Sequence, residues 1–368
     1  MENLFGFMDD LGPTKILHIS LCQVGLKAIV VVDNTACGPT IGGVRMVPDV
    51  TAEEACRLAR AMTLKNAAAG LPHGGGKSAI VADPKMPPGD KEHLIRAFAR
   101  AIADLNEYIP GPDMGTDELA MGWVHDEIGR AVGLPREVGG IPLDELGATG
   151  FGLAIAVDVA SKAIGLDLNG AKVAVQGFGA VGKHAARFLA QKGCLLVAAS
   201  DSRGTVSCSE GLDVAGLIAL KDAGQSVTDS LEGTKAPTEA IIDVPCDIWI
   251  PAARPDVLSK DNAGRLKAKI VAEGANIPCT TEAEALLEAR GVLILPDFVV
   301  NAGGVICAAT EFHGGTETTA FLSIEEKIRR NTALLINKAR SEGIFMREAA
   351  MGLATERIWN AQRTRRWK

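Results

Sequence analysis

Hydrophobic positions along the chain fall into two regimes. Residues 27–33, Lys-Ala-Ile-Val-Val-Val-Asp, form a β-branched apolar run between polar neighbours and predict a buried strand, as does Ser78-Ala79-Ile80-Val81. Between them, Thr51 to Leu71 opens with the capping pattern Thr51-Ala52-Glu53-Glu54 and continues with Ala55, Leu58, Ala59 and Met62 at helical spacing. That helix carries Lys65 near its C-terminal end. From Ala171 the pattern alternates: Lys172 to Gln176 predicts a strand, a helix runs through Gln191, and Cys194 to Ser200 predicts a second strand, together a βαβ unit. Short apolar strands at 248–250, 270–272 and 293–295 extend the parallel sheet. The glycine-rich stretch Gly139 to Gly152 marks a hinge, and Ser323 to Trp367 predicts two helices without a strand.

A length of 368 residues exceeds what one core usually serves, so the expected architecture is α/β with two domains and a cleft between them. The boundaries expected are 1–145 for the first domain and 146–330 for a Rossmann-type domain, with terminal helices over 331–368. Hydrophobic residues make up 47% of the chain and mean hydropathy is +0.15, but no run approaches the roughly 18 uninterrupted apolar residues of a membrane helix. A soluble protein is expected. The N-terminus is acidic where a secretory signal would be basic, which points to the cytoplasm. Eight cysteines lie scattered without a close CxxC pair, which argues against a zinc site and a disulfide framework. A net charge of -7 disfavours nucleic acid and anionic membranes as partners, and the basic tail from Arg357 is read as a solvated helix end.

Gly177-Phe178-Gly179-Ala180-Val181-Gly182 follows a strand and opens a helix, the context in which such glycines admit a pyrophosphate at a helix N-terminus. Asp201 ends the next strand, where a ribose-binding acid is expected. The bland alternative is a tight turn that binds nothing. Asp201 favours NAD, while Arg203, two residues on, leaves NADP open.

Upstream lie Met62-Thr63-Leu64-Lys65-Asn66, Gly74-Gly75-Gly76-Lys77 and Pro112-Asp113-Met114-Gly115-Thr116. The three glycines are expected to give the backbone before Lys77 unusual conformational freedom. Two ammonium groups sharing a cleft disfavour each other's charge, and burial adds to that, so one of Lys65 and Lys77 is expected to titrate near neutrality and act as a base. Taken singly, each of these lysines is better read as a surface residue and Asp113 as a turn residue.

The ordered set, together with Ala148-Thr149-Gly150, Glu273-Gly274-Ala275-Asn276 and Asn301-Ala302-Gly303-Gly304-Val305, resembles the amino acid dehydrogenase family that acts on glutamate, leucine, phenylalanine or valine. The resemblance runs from about Gly25 to about Trp359. It implies that Lys65 holds the substrate α-carboxylate, that Lys77 activates water, and that Asp113 shuttles protons to and from the amino nitrogen. It places Thr149 at the nicotinamide carboxamide, Asn276 at its ribose and Asn301 at the carboxamide or the substrate amino group. It also implies a homo-oligomer and terminal helices that return across the cleft.

Glutamate enzymes of the family resemble this chain over Gly38 to Arg45, but carry lysine where Ile41 stands and serine where Ala308 stands. An uncompensated carboxylate against those residues costs several kcal/mol, whereas an aliphatic side chain gains about 1.5–3 kcal/mol. Thr40, Ile41, Gly42, Val305 and Ala308 therefore suggest a pocket for leucine, valine, isoleucine or phenylalanine. The segment from Ser202 to Asp229 looks more like the glutamate branch, which keeps glutamate dehydrogenase as the alternative. Two rivals stand outside this chemistry. A non-catalytic nucleotide-sensing subunit predicts loss of Lys77 or Asp113. A hydroxy acid dehydrogenase predicts a catalytic histidine, for which only His73 is suitably placed.

Overall fold

The structure, a computed structural model, describes residues 6–365. Contacts divide the chain into two compact units. The first comprises residues up to Leu143, Val305–Ser323 and the chain from Leu353; the second comprises Asp144–Gly304 and Ile324–Gly352. The terminal stretch 331–368 is thus shared between units rather than forming one of its own.

The first unit is built on a five-stranded sheet in the order β1-β2-β4-β3-β5: β1 (Lys15–Leu21), β2 (Leu26–Asn34), β3 (Thr40–Val47), β4 (Gly74–Val81) and β5 (Tyr108–Pro112). β2 runs antiparallel to β1 and β4, while β3 runs parallel to β4 and β5. Helix α1 (Ala52–Ala68) covers one face, where Ala55, Cys56 and Ala59 pack with Ile29 and Val31. The other face buries Val30, Val32, Val44, Met46 and Ile80 under α2 (Pro88–Ala101) and α3 (Glu118–Ile128), through Phe98, Met121 and Val124. Successive strand residues face opposite sides, so Lys77, paired with Val31, lies on the α1 face. Thr51 caps α1 by accepting from the Glu54 amide, but the Glu54 carboxylate turns to Arg45 instead of completing the capping box.

A short helix, α4 (Leu143–Leu146), leads into α5 (Ala148–Ile164). The whole stretch Leu143–Ile164 is long and apolar enough to pass for a membrane span by composition, and 67% of its most apolar window is buried as in a core helix.

The second unit carries a seven-stranded sheet in the order β12-β11-β10-β6-β7-β8-β9. Its parallel part comprises β6 (Lys172–Gln176), β7 (Leu195–Asp201), β10 (Ile248–Pro251), β11 (Ile270–Ala272) and β12 (Leu293–Leu295). Two antiparallel strands, β8 (Gly204–Ser207) and β9 (Thr234–Ala236), finish the edge. Helices α6 (Ala180–Ala190), α7 (Val214–Asp222) and α8 (Thr281–Ala289) connect strands, and α9 (Asp297–Val300) follows β12. The strand order reverses between β6 and β10, the position where open α/β sheets bind ligands beyond their carboxyl ends. Helices α10 (Gly303–Phe312), α11 (Glu317–Glu342) and α12 (Met346–Gln362) complete the chain.

Candidate active site

Lys77 sits in mid-strand on β4, and its ammonium contacts the Asp113 carboxylate directly. Asp113 follows β5, which brings it beside β3, and Arg45 Nε on β3 lies 3.4 Å from the same Oδ2 atom. Thr116 fixes this corner: its hydroxyl donates to the Val44 carbonyl at 2.7 Å and accepts from the Asp113 amide at 3.0 Å. Lys77 is 6% exposed. Burial pushes its pKa down and the Arg45 charge adds to that, while Asp113 pulls it back; the ammonium ends below the ordinary lysine value. Burial works the other way on Asp113, but Lys77, Arg45 and the Met114 amide outweigh it and hold the carboxyl below its ordinary value. Arg45, which no motif marked, is a like charge acting on Lys77.

The glycines before Lys77 do not supply the conformational freedom expected of them. Gly74, Gly75 and Gly76 are part of the strand and none has positive φ. What they supply is closeness. A Cβ on Gly75 would stand 1.9 Å from the Thr63 amide nitrogen of α1, and one on Gly42 would stand 1.7 Å from the Gly76 carbonyl oxygen. Gly43 makes room for Asp113, whose Cβ would be 2.7 Å from an added methyl. Lys65, half-buried in the last turn of α1, lies between two residues that hold β4: Thr63 at Gly75, and Asn66, which donates to the Gly74 carbonyl at 2.6 Å.

Thr40, Ile41, Gly42 and Ala308 are buried in the same unit and Val305 is half-buried. Thr40 donates to the Glu107 carbonyl. Helix α10 is tied down by Glu311, whose carboxylate accepts from the Leu134 and Ile141 amides at 3.2 and 2.7 Å. His73 is buried, with Nδ1 3.0 Å from the Pro39 carbonyl, Nε2 3.0 Å from His313 Nε2, and Phe312 edge-on. Burial lowers its pKa, as expected of a packed wall residue rather than an acid-base group.

In the second unit, each fingerprint glycine has its own reason. Gly177 has φ +88°, and a Cβ there would meet Ala253; Gly182 abuts the Gly177 carbonyl, which packs α6 on its strand. A Cβ on Gly179 would meet nothing within 4 Å and would project where a pyrophosphate must approach. Ala180, Val181 and Gly182 form the first turn of α6, which has no side-chain cap, while Phe178 is buried and donates its amide to Ser200. Beside these residues lies a cavity of about 780 Å³ lined by Gly177, Gly179, Asp201, Lys221, Trp249 and Arg254 among others.

Asp201 has other partners than the expected ribose hydroxyls. Its Oδ1 accepts from the Arg203 amide and the Ser226 hydroxyl, and its Oδ2 from Lys221 Nζ and the Val227 amide, all within 3.0 Å. An ionised carboxylate offers about four acceptor sites, so all are filled. Arg203 in turn donates to Asp229. Lys221, which no motif marked, is the cation that Asp201 places at the cavity wall.

The loops that the resemblance assigns to the nicotinamide converge. Asn301 Nδ2 donates to Asn276 Oδ1 at 3.1 Å and to the carbonyls of Gly274 and Ala275, and a Cβ on Gly303 would press on Thr149 Cα at 3.0 Å. Asn301 Oδ1 is buried without a protein partner, as suits an acceptor for a carboxamide NH₂. These features fit a nicotinamide dinucleotide.

Two family models match nearly the whole chain: Glutamate/Leucine/Phenylalanine/Valine dehydrogenase over residues 139–366, and the Glu/Leu/Phe/Val dehydrogenase dimerisation domain over residues 14–130. The chain belongs to this family. It is 40% identical to a glutamate dehydrogenase of Aeropyrum pernix, over 91% of this chain and 85% of the relative. It is 39% identical to an NADP(+)-dependent glutamate dehydrogenase of Pyrobaculum calidifontis, with the same coverage. Among solved structures it resembles the hetero-hexameric glutamate dehydrogenase of Thermus thermophilus in its leucine-bound form, with TM-score 0.85 and 32% identity over 95% of this chain and 89% of that one.

These relatives overturn the expectation of an apolar substrate. A full burial cost falls on a substrate carboxylate beside Ile41 and Ala308 only where it is held against those two side chains without water or another donor. Two wall positions do not establish that condition. The family's cofactor is NAD or NADP, and curated relatives of both specificities match.

Proposed function

We propose that the protein is an NAD(P)-dependent glutamate dehydrogenase that reversibly converts L-glutamate to 2-oxoglutarate and ammonium. The observation that carries the reading is the buried Lys77–Asp113 contact, flanked by Arg45, in a chain 36–40% identical to relatives named glutamate dehydrogenase.

A bound dinucleotide would supply the hydride acceptor for the substrate Cα. The protein's own groups do the rest. Lys65 holds the α-carboxylate as a fixed cation. Asp113, already ionised, takes a proton from the substrate ammonium. Lys77, its charge disfavoured by burial, accepts a proton from the water that adds to the imino carbon and returns it as ammonium leaves. Thr149, Asn276 and Asn301 orient the nicotinamide. The match to a dimerisation domain supports an oligomer of this chain.

The test is reduction of NAD and NADP by the purified protein at alkaline pH with glutamate, beside leucine, valine and phenylalanine, and with Lys77→Ala as control. Glutamate turnover that vanishes in the control supports the reading. Turnover of an apolar amino acid with none of glutamate overturns the substrate, and no turnover of any amino acid overturns the enzyme. A non-catalytic subunit predicts loss of Lys77 or Asp113, and both are present and in contact.

A further inference from the structure

Among the described residues only two without a glycine's freedom have positive φ, and they are bonded to each other. Asp256 has φ 55° and Ile277 φ 49°, with the Asp256 amide donating to the Ile277 carbonyl at 3.0 Å. A β-branched residue in the left-handed region is an outlier that persists only where its surroundings force it. Ile277 is 46% exposed, so burial of its side chain does not do the forcing. It follows directly on Asn276.

Hydrogen bonds hold this turn from behind. The Ile277 amide donates to Asp297 Oδ2 at 2.9 Å, and Asp297 Oδ1 accepts from Arg347 Nη1 at 3.0 Å. Arg347 Nη2 also donates to Glu273 Oε2 at 2.7 Å, and its Nε donates to Glu284. Glu273 stands immediately before Gly274 and accepts from the Asp297 amide at 2.9 Å. Both ends of the loop 274–277 therefore lead to one guanidinium. The Asn301 amide bonds to the Asp297 carbonyl at 2.8 Å, which ties the third nicotinamide-facing residue to the same anchor. The side chains of Glu273 and Asp297 are almost wholly buried; burial pushes the Glu273 carboxyl up to about 8 even though Arg347 pulls it back, so Arg347 is the cation for Asp297 and the hydrogen-bond donor for Glu273, and without it both buried groups would lose a partner.

We propose that Arg347, at the start of α12, is a positioning residue for the dinucleotide: through Asp297 and Glu273 it holds the loop 274–277 in its strained form, so that Asn276 and Asn301 are set in place before the nicotinamide arrives. The proposal rests on the reading that this loop faces the nicotinamide. It makes Arg347 act through its carboxylate partners without touching cofactor or substrate.

The test uses the full chain. Arg347→Lys keeps the charge but loses the fork, and Asp297→Asn is the milder second variant should the first not fold. The Kd for reduced dinucleotide, read by its fluorescence, should rise about tenfold in either variant, with a smaller change in kcat. In the dinucleotide-free protein, amide hydrogen exchange over residues 274–277 should accelerate while the β6 and β10 strands stay protected. Ile277→Gly, which removes the strain, should bring the Arg347→Lys double variant back to the Kd of Ile277→Gly alone. Unchanged exchange and unchanged Kd in folded variants would overturn the proposal, as would failure of glycine to rescue. Accelerated exchange without weaker dinucleotide binding would also overturn it, by showing a brace that serves stability only. Wild-type turnover of glutamate is read separately, so failure of the catalytic assignment is distinguishable from failure of the brace.

Discussion

Replacing Asp201 by asparagine tests the conclusion that this carboxylate is engaged by the protein's own donors. Burial raises its pKa, yet Lys221, the Arg203 amide, Ser226 and the Val227 amide together bring it from 3.8 down to about 2. At about 1.36 kcal/mol per unit, that fall is worth about 2 kcal/mol of folding stability at neutral pH. The side chain is 9% exposed, so solvent screening takes little from the figure. Because the folded value lies below the unfolded one, the stabilisation is fully present above the unfolded pKa and is lost as pH falls through the folded pKa. Asparagine keeps the shape and removes the charge. Urea unfolding of wild type and Asp201→Asn should therefore differ by about 2 kcal/mol from about pH 5 to pH 8, and the gap should narrow between about pH 4 and pH 2. A gap that ignores pH, or widens on acidification, would refute the argument. The same variant separates the two roles of the carboxylate: if it bonds ribose hydroxyls, Kd for NAD should rise about tenfold or more, whereas a bonded-out carboxylate leaves it within about threefold.

Other perturbations address the lysine site. Arg45→Gln removes a charge that lowers the Lys77 pKa, so the acidic limb of the kcat/KM profile for glutamate, below which Lys77 is protonated and cannot act as base, should move to higher pH; an unmoved limb would remove Arg45 from the site's electrostatics. Gly43→Ala places a methyl 2.7 Å from Asp113 Cβ, and should cost about 1–3 kcal/mol of stability by thermal or urea unfolding and lower kcat by displacing the carboxylate. Lys77→Ala should lower kcat about 10²–10⁴-fold with circular dichroism unchanged. Since Lys77 and Asp113 share one contact, a Lys77→Ala, Asp113→Asn double variant should be little slower than the slower single one; fully multiplicative losses would show that the two groups act independently.

Much of the second unit's sheet was legible because its parallel strands are buried on both faces and read as short continuous apolar runs, as at Ile248–Pro251 and Leu293–Leu295. The strands that escaped notice lack that signature. β3 begins after a proline and contains two glycines, and the two antiparallel strands β8 and β9 have only four and three residues. The same contrast holds within the sites. Lys77 and the fingerprint glycines are marked by close spacing along the chain. Arg45, 32 residues before Lys77, and Lys221, 20 residues after Asp201, join their sites only through folding. An arginine among apolar strand residues on the lysine's face was the one available hint.

The glycines around Lys77 show why the chemistry was easier to read than the substrate. Gly42, Gly43 and Gly75 let strands and helix approach so closely that the surface beside the lysine is main chain, with Lys77, Asp113 and Arg45 as the charged groups around it. Such a floor suits what all amino acid substrates share: an α-carboxylate, an amino nitrogen and a reacting Cα. Its signal is an absence of side chains imposed by contacts under 3 Å, which few other residues could satisfy, and so it is written plainly in the sequence. The wall that meets the substrate side chain is under no such constraint. A carboxylate there needs one donor or a path to water, and either can come from many positions in the fold. Ile41 and Ala308 describe two points on that wall and leave the rest to the three-dimensional arrangement, which is why an inference from those two residues pointed to an apolar side chain while relatives matching along 91% of the chain point to glutamate.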